Sequence, residues 1–374
     1  MKYRVLPVIL CCVIGARAGD LAQISAAEGS RPVHPVSHQA KVPVPMRDGT
    51  NLAAEIYRPD APGKFPALML LRYFRSASQN HRGTFFAERG YVVALIDCRG
   101  RYDSQGTWLP YVNEPEDGFD AQQWLGVQPW CNGKIGTFGV SYNAFTSYMA
   151  APLGSPHLEC IFPQSGQQTN FGHLYNDGVM QLNVIFEFGL HTKQGSQTQR
   201  IFSPDNPHYR RLPLIDAVDE FPNVQHVKDW FEHCRYDDYW KAYGIKEKYP
   251  QIKVPAYFIT GWYDNLLREN WRNFLGFRSQ GGSAKARTGT KILIGPWAHG
   301  GSNAYPPIRD MSMMLRWYDH WLKNVPNGID SEPPIRLYVM GADIWRSENE
   351  WPLARTRFTK FHLGSGGRAN SANG

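Results

Sequence analysis

Cysteine is scarce in this chain. Of six, Cys11 and Cys12 stand in the first eighteen residues, and Cys98, Cys131, Cys160 and Cys234 lie far apart, with no C-x-x-C pair. That spacing excludes a zinc ribbon or a thioredoxin-type redox site. One or two disulfides are permitted among the last four, and nothing in the sequence pairs them. A second long apolar run is also missing, so no membrane span is expected once residues 1–18 are removed. Basic runs are missing too. The net charge is +7, but Lys2, Arg4 and Arg17 supply three of those charges in a segment without a single acid. A nucleic-acid partner is therefore not expected.

Those first residues read as a secretory signal. Met1-Lys2-Tyr3-Arg4 is a charged start, Val5 to Gly15 an apolar middle, and Ala16-Arg17-Ala18 a cleavage site before Gly19. A secreted or periplasmic protein is expected, cut after Ala18. The remaining length suits one large α/β domain plus an extra piece. With 12 Trp and 19 Tyr, the chain has the aromatic stock for a deep apolar pocket rather than a disordered tail.

Residues 19–40 are mixed and polar, a loose leader. Lys41–Met46 and Asn51–Tyr57 alternate around the turn Arg47-Asp48-Gly49-Thr50, predicting a hairpin. Phe65–Leu71 and Tyr91–Ile96 are buried-strand runs with a helix between them, a parallel βαβ unit. A polar loop from Asp97, a helix over Glu116–Val127, a strand over Gly133–Val140 and a short strand over Leu158–Phe162 continue the alternation. Residues 166–245 break it and read as a helical cap inserted over the pocket. Val254–Gly261 with the helix Leu266–Phe277, the strand Lys291–Ile294 and the helix Asp310–Lys323 resume it. Ile335–Met340 and Phe358–Leu363 read as separate strands of a different texture. The fold class is α/β: a doubly wound, mostly parallel sheet with core segments at 41–165 and 246–325.

The chemistry gathers around Gly139-Val140-Ser141-Tyr142-Asn143-Ala144. A strand that turns at once into a helix, with a serine at the tip, is the layout of a nucleophile elbow. The hydroxyl is a weak nucleophile and must stand where a base can reach it. The next amide, that of Tyr142, opens the helix and faces a developing oxyanion. The motif alone is weak, because Asn143 replaces the second glycine of G-x-S-x-G. Its partners come later. Asp264 and His299 each stand just past the carboxyl end of a candidate strand, where open parallel sheets place functional groups. The order Ser141, Asp264, His299 is that of α/β-hydrolase triads.

Asp97-Cys98-Arg99-Gly100 with Ser104-x-Gly106, Trp130-Cys131-Asn132-Gly133-Lys134, Gly139-Val140-Ser141-Tyr142, Gly261-Trp262-Tyr263-Asp264 and Gly295-Pro296-Trp297-Ala298-His299 together resemble the cocaine-esterase/X-Pro dipeptidyl-peptidase group of hydrolases. The resemblance runs from about Val42 to the last residues. It implies an α/β-hydrolase fold, Ser141 as nucleophile, His299 as base and Asp264 as its orienting acid. It also implies an oxyanion hole made by the Tyr142 amide and a tyrosine hydroxyl from the loop after an early strand, for which Tyr73 is the candidate. The family's Arg-x-Pro-Tyr pattern is altered there to Arg72-Tyr73-Phe74-Arg75. Relatives carry a jelly-roll β-domain after the hydrolase core, and residues 333–374 resemble only its start, as in a fragment or a member that has lost the domain. The expected reaction is acyl transfer through an acyl-enzyme on a small ester or amide, with no cofactor and no metal. Carboxylic-ester hydrolysis is the first reading. X-Pro peptidase and β-lactam or α-amino-acid acyl hydrolase activities stay open, and would need carboxylates such as Glu187 or Asp177 for an ammonium group. An inactive, unstable remnant is the alternative of another class. Oligomeric state is not encoded legibly.

Overall fold

A computed structural model describes residues 29–189, 207–221, 224–362 and 364. The expected signal at 1–18, the leader as far as residue 28 and the Gly/Ser/Asn tail from residue 365 lie outside the described residues.

Strands β1 (Val36–Pro45) and β2 (Asn51–Pro59) form the expected antiparallel hairpin. Asp48 Oδ1 accepts from the Thr50 amide at 3.0 Å in its turn. β1 begins inside the stretch read as a loose leader. A register shift between Gln39 and Val42 is the reason, since a bulge erases the period-two pattern that marks a strand. The chain then alternates β3 (Phe65–Arg72), α1 (Ala77–Ala87), β4 (Val92–Asp97), α2 (Glu114–Gly126), β5 (Cys131–Val140), α3 (Tyr142–Met149) and β6 (Leu158–Gln164). After the inserted segment come β7 (Tyr257–Tyr263), α4 (Leu267–Gln280), β8 (Lys291–Ala298), α5 (Ser312–Lys323), β9 (Ile335–Val339) and β10 (Ile344–Glu348).

The ten strands lie in the order β1-β2-β4-β3-β5-β6-β7-β8-β9-β10. All neighbours from β4 to β9 run parallel, and the outer pairs are antiparallel. Side chains of the central strands bury on both faces. Ala67, Met69 and Leu71 join Ala121 and Leu125 of α2 and Phe145 and Met149 of α3. Leu68 and Leu70 join Phe86 and Ala87 of α1 and Met314, Trp317 and Tyr318 of α5. This is the α/β-hydrolase fold.

Two expectations for the last part of the chain are corrected. β9 does not open a separate β-domain, because it pairs in parallel with β8, Ile292 beside Ile335 and Ile294 beside Leu337, and extends the main sheet. The last described strand is β10, which returns antiparallel from a turn holding Gly341 and Asp343 at positive φ. Residues 358–362 form no strand. None of the described strands pairs with them, and Phe358 and Phe361 are 85% and 90% exposed.

Between β6 and β7 the described pieces are a small antiparallel hairpin, Tyr175–Asn176 with Val179–Met180, and short helices, among them Asn170–Leu174, Gln225–Glu232 and Asp238–Ala242. They bury Phe186, Phe188, Trp230 and Trp240, which tie the inserted segment to the core. No described helix is long and apolar enough to cross a membrane. Cys98, Cys131 and Cys160 are buried free thiols, and Cys234 is an exposed one.

Candidate active site

β5 ends at Val140 and α3 starts at Tyr142, so a single residue makes the turn. That residue is Ser141, held at φ 60° and ψ −124°, a region costly for any side chain. The tight crossing demands glycine two residues earlier. A Cβ on Gly139 would lie 1.9 Å from the backbone oxygen of Asn143. Asn143 itself is buried, and its Oδ1 accepts from the Tyr73 amide at 3.2 Å. The side chain that replaces the usual glycine thus ties the elbow to the loop after β3.

The sheet brings the three candidate residues together. β5, β7 and β8 end on the same edge, with β6 between β5 and β7. Ser141 Oγ lies 2.9 Å from His299 Nε2, and His299 Nδ1 lies 3.0 Å from Asp264 Oδ1. With a proton on Nδ1 the ring donates to the carboxylate and Nε2 accepts from the serine hydroxyl. Asp264 is 5% exposed. Burial alone pushes its carboxyl up, but hydrogen bonds from His299, from Ser165 and from the Leu266 amide outweigh it and hold the group below its ordinary value. A carboxylate fixed in its charged form beside Nδ1 orients the imidazole and favours its cation. As first residue of α3, Tyr142 has no intrahelical partner for its N–H, which leaves that donor for an oxyanion.

A cavity of about 350 Å³ opens at Ser141 and His299. Its remaining wall includes Tyr111, Phe188 and Val184, and a collar of neutral amides: Gln167, Gln181, Asn183 and Asn265. Tyr73 is placed one residue past β3, its ring 4.7 Å from that of Tyr142 and 6.0 Å from that of Trp108. It is not among the residues lining the cavity, whereas Tyr111 is. The sequence reading missed Tyr111 because it sits in an irregular loop; its one signal was the aromatic spacing Trp108-x-x-Tyr111. Of the two cap acids, Asp177 is an exposed partner of Arg268 at 2.7 Å, away from the cavity lining, and the Glu187 side chain lies outside the described residues.

The family model of the X-Pro dipeptidyl-peptidases (S15 family) matches residues 48–301. The chain is similar to cocaine esterase of Rhodococcus sp., 29% identical over 90% of this chain and 64% of that protein. Among solved structures it resembles a CocE/NonD family hydrolase from Staphylococcus aureus, with TM-score 0.69 and 21% identity, covering 92% of this chain and 63% of that one. It also resembles an aminopeptidase from a marine sediment Thaumarchaeota archaeon, with TM-score 0.71 and 17% identity, covering 87% of this chain and 60% of that one. The chain spans less than two thirds of the length of each of these three relatives.

Proposed function

Because the chain belongs to the X-Pro dipeptidyl-peptidase (S15) family, we propose that it is a serine hydrolase, and that its substrates are small, neutral carboxylic esters. One observation carries the reading: the Ser141–His299–Asp264 relay, at 2.9 Å and 3.0 Å, opens on the floor of a cavity. Ser141 Oγ attacks the ester carbonyl carbon as His299 Nε2 takes its proton. The tetrahedral oxyanion meets the Tyr142 amide, joined by a tyrosine hydroxyl, that of Tyr73, the candidate from the family resemblance, or that of Tyr111, which lines the cavity. The C–O bond to the leaving alcohol then breaks, with the proton returned from His299. Water, deprotonated by the same imidazole, releases the acid from Ser141.

The choice of ester over X-Pro amide rests on charge. A free α-ammonium needs a carboxylate within reach, and the described cavity wall offers neutral amides and aromatics instead. The purified chain should hydrolyse p-nitrophenyl esters of short acids at least about 10²-fold faster, by kcat/KM, than Ala-Pro p-nitroanilide, since an unpaired buried charge costs several kcal/mol. Cleavage of the anilide alone would reverse the assignment in favour of the peptidase. Export is proposed on the strength of residues 1–18, and sequencing the N-terminus of the protein from its own host checks it. A mature chain starting at Gly19 is expected; one that retains Met1 rules the cleavage out.

A further inference from the structure

Behind the elbow is a buried carboxylate that the triad does not use. Glu114 is the first residue of α2, 1% exposed. Its Oε1 accepts from the Tyr142 hydroxyl, and also from Trp108 Nε1 at 3.1 Å. The Tyr142 oxygen in turn accepts from the Tyr111 amide at 3.0 Å. The Tyr142 ring lies 4.7 Å from that of Tyr111, in the cavity wall. So the residue whose backbone N–H opens α3 at the elbow has its side-chain hydroxyl clamped in the core.

We propose that Glu114 is a positioning residue for the oxyanion hole, holding the Tyr142 side chain so that its backbone N–H keeps its aim. This rests on the serine-hydrolase reading above. The physical need comes from Ser141. Its ψ of −124° sets where the Tyr142 N–H points, and its positive φ costs about 1–3 kcal/mol that the surroundings must hold in place. A tyrosine fixed at its far end by two hydrogen-bond partners resists the rotation that would relieve this strain. Charge-assisted hydrogen bonds are the strong ones, and in a dry core their loss is felt in full.

The surroundings also make the clamp sensitive to protonation. Burial pushes the Glu114 carboxyl up to about 7, against the opposing hydrogen bonds from Tyr142 and Trp108. The titratable and charged groups around it are Tyr142 and Tyr111, the Cys98 thiol, Arg101, and Asp117 one turn further along α2, itself paired with Arg99. Desolvation drives the Tyr142 and Cys98 groups further from ionising, whereas it brings the Glu114 carboxyl to about 7.

The test compares Glu114→Leu, Glu114→Gln and Tyr142→Phe with the parent. Two rates are read: turnover of a p-nitrophenyl ester, and labelling of Ser141 by a fluorophosphonate, in which an Oγ–P bond forms as P–F breaks and fluoride leaves. Losing a whole oxyanion donor costs roughly 10²–10³ in rate, so a misaimed one should cost about 10–10² in kcat with KM within about twofold. Glu114→Gln keeps an acceptor oxygen and should recover about tenfold of the Glu114→Leu loss. Tyr142→Phe should match Glu114→Leu. Near-ultraviolet circular dichroism of the parent should titrate near pH 7, and that of Glu114→Gln should not. Unchanged kcat in folded Glu114→Leu, equal losses in the Leu and Gln variants, or the same titration in Glu114→Gln each overturn the proposal. Labelling without ester turnover would overturn the ester assignment instead, and the labelling rates would still decide on Glu114.

Discussion

Ser141→Ala should lower kcat on an activated ester by about 10⁶-fold while leaving the fold and the substrate affinity in place. The hydroxyl contributes nothing to the core, being the terminal atom of a relay on the cavity floor, so its removal leaves only the oxyanion donors and binding to act. Those alone sustain roughly 10³–10⁴ over water. The sharper form of this expectation uses two sites. On the proposed mechanism Ser141 and His299 act as one unit, so His299→Ala and the double variant should sit at the same floor as Ser141→Ala, far from additive. Additive losses would mean that the imidazole 2.9 Å from Oγ is not the base. Burst kinetics on the parent, absent from Ser141→Ala, would report the acyl-enzyme directly.

Arg72→Ala should lower stability by about 3–5 kcal/mol in denaturant unfolding followed by circular dichroism. Arg72 is fully buried at the end of β3, its Nε 2.8 Å from Asp97 Oδ1 and its Nη2 2.8 Å from Glu55 Oε1. Truncating it takes the buried guanidinium from two carboxylates, Glu55 on β2 and Asp97 at the end of β4. Asp97 keeps Arg75, and Glu55 keeps the Tyr57 hydroxyl at 3.1 Å and His38 Nε2 at 3.3 Å, so the loss falls on both. Lysine should not rescue, since a point charge cannot serve both carboxylates as the guanidinium fork does. The pH dependence carries a sign. Burial raises the Glu55 carboxyl, but the bonds from Arg72 win, and its folded value is lowered. That stabilisation is complete above the unfolded value of about 4.5 and disappears as pH falls through the folded one. The gap between parent and variant should therefore narrow below about pH 4.5. A gap that widens in acid would remove the ion pair from the account.

What the sequence made legible follows from which forces act locally. Ser141, Asp264 and His299 could be placed at strand ends because buried parallel strands are continuous apolar runs, and the polar residue that ends each run marks the sheet's carboxyl edge. The elbow was visible because Gly139 and the strained Ser141 leave a compositional trace. Features set by distant packing left none. The bulge between Gln39 and Val42 hid half of β1, and β10, with Arg346, Ser347 and Glu348 in five residues, reads as loop until a neighbour pairs with it. Tyr111 and Glu114 meet the Tyr142 side chain only because α2 and its preceding loop fold back against α3, which no local pattern states. Asn143 is the reverse case: a departure from the motif that the structure turns into a tether for Tyr73.

Cys98, Cys131, Cys160 and Cys234 stand unjoined, so the described fold rests on packing and hydrogen bonds without a covalent staple. Of these four, Cys98, Cys131 and Cys160 are shielded by burial, and the exposed Cys234 thiol is the one an oxidant in solvent would meet first.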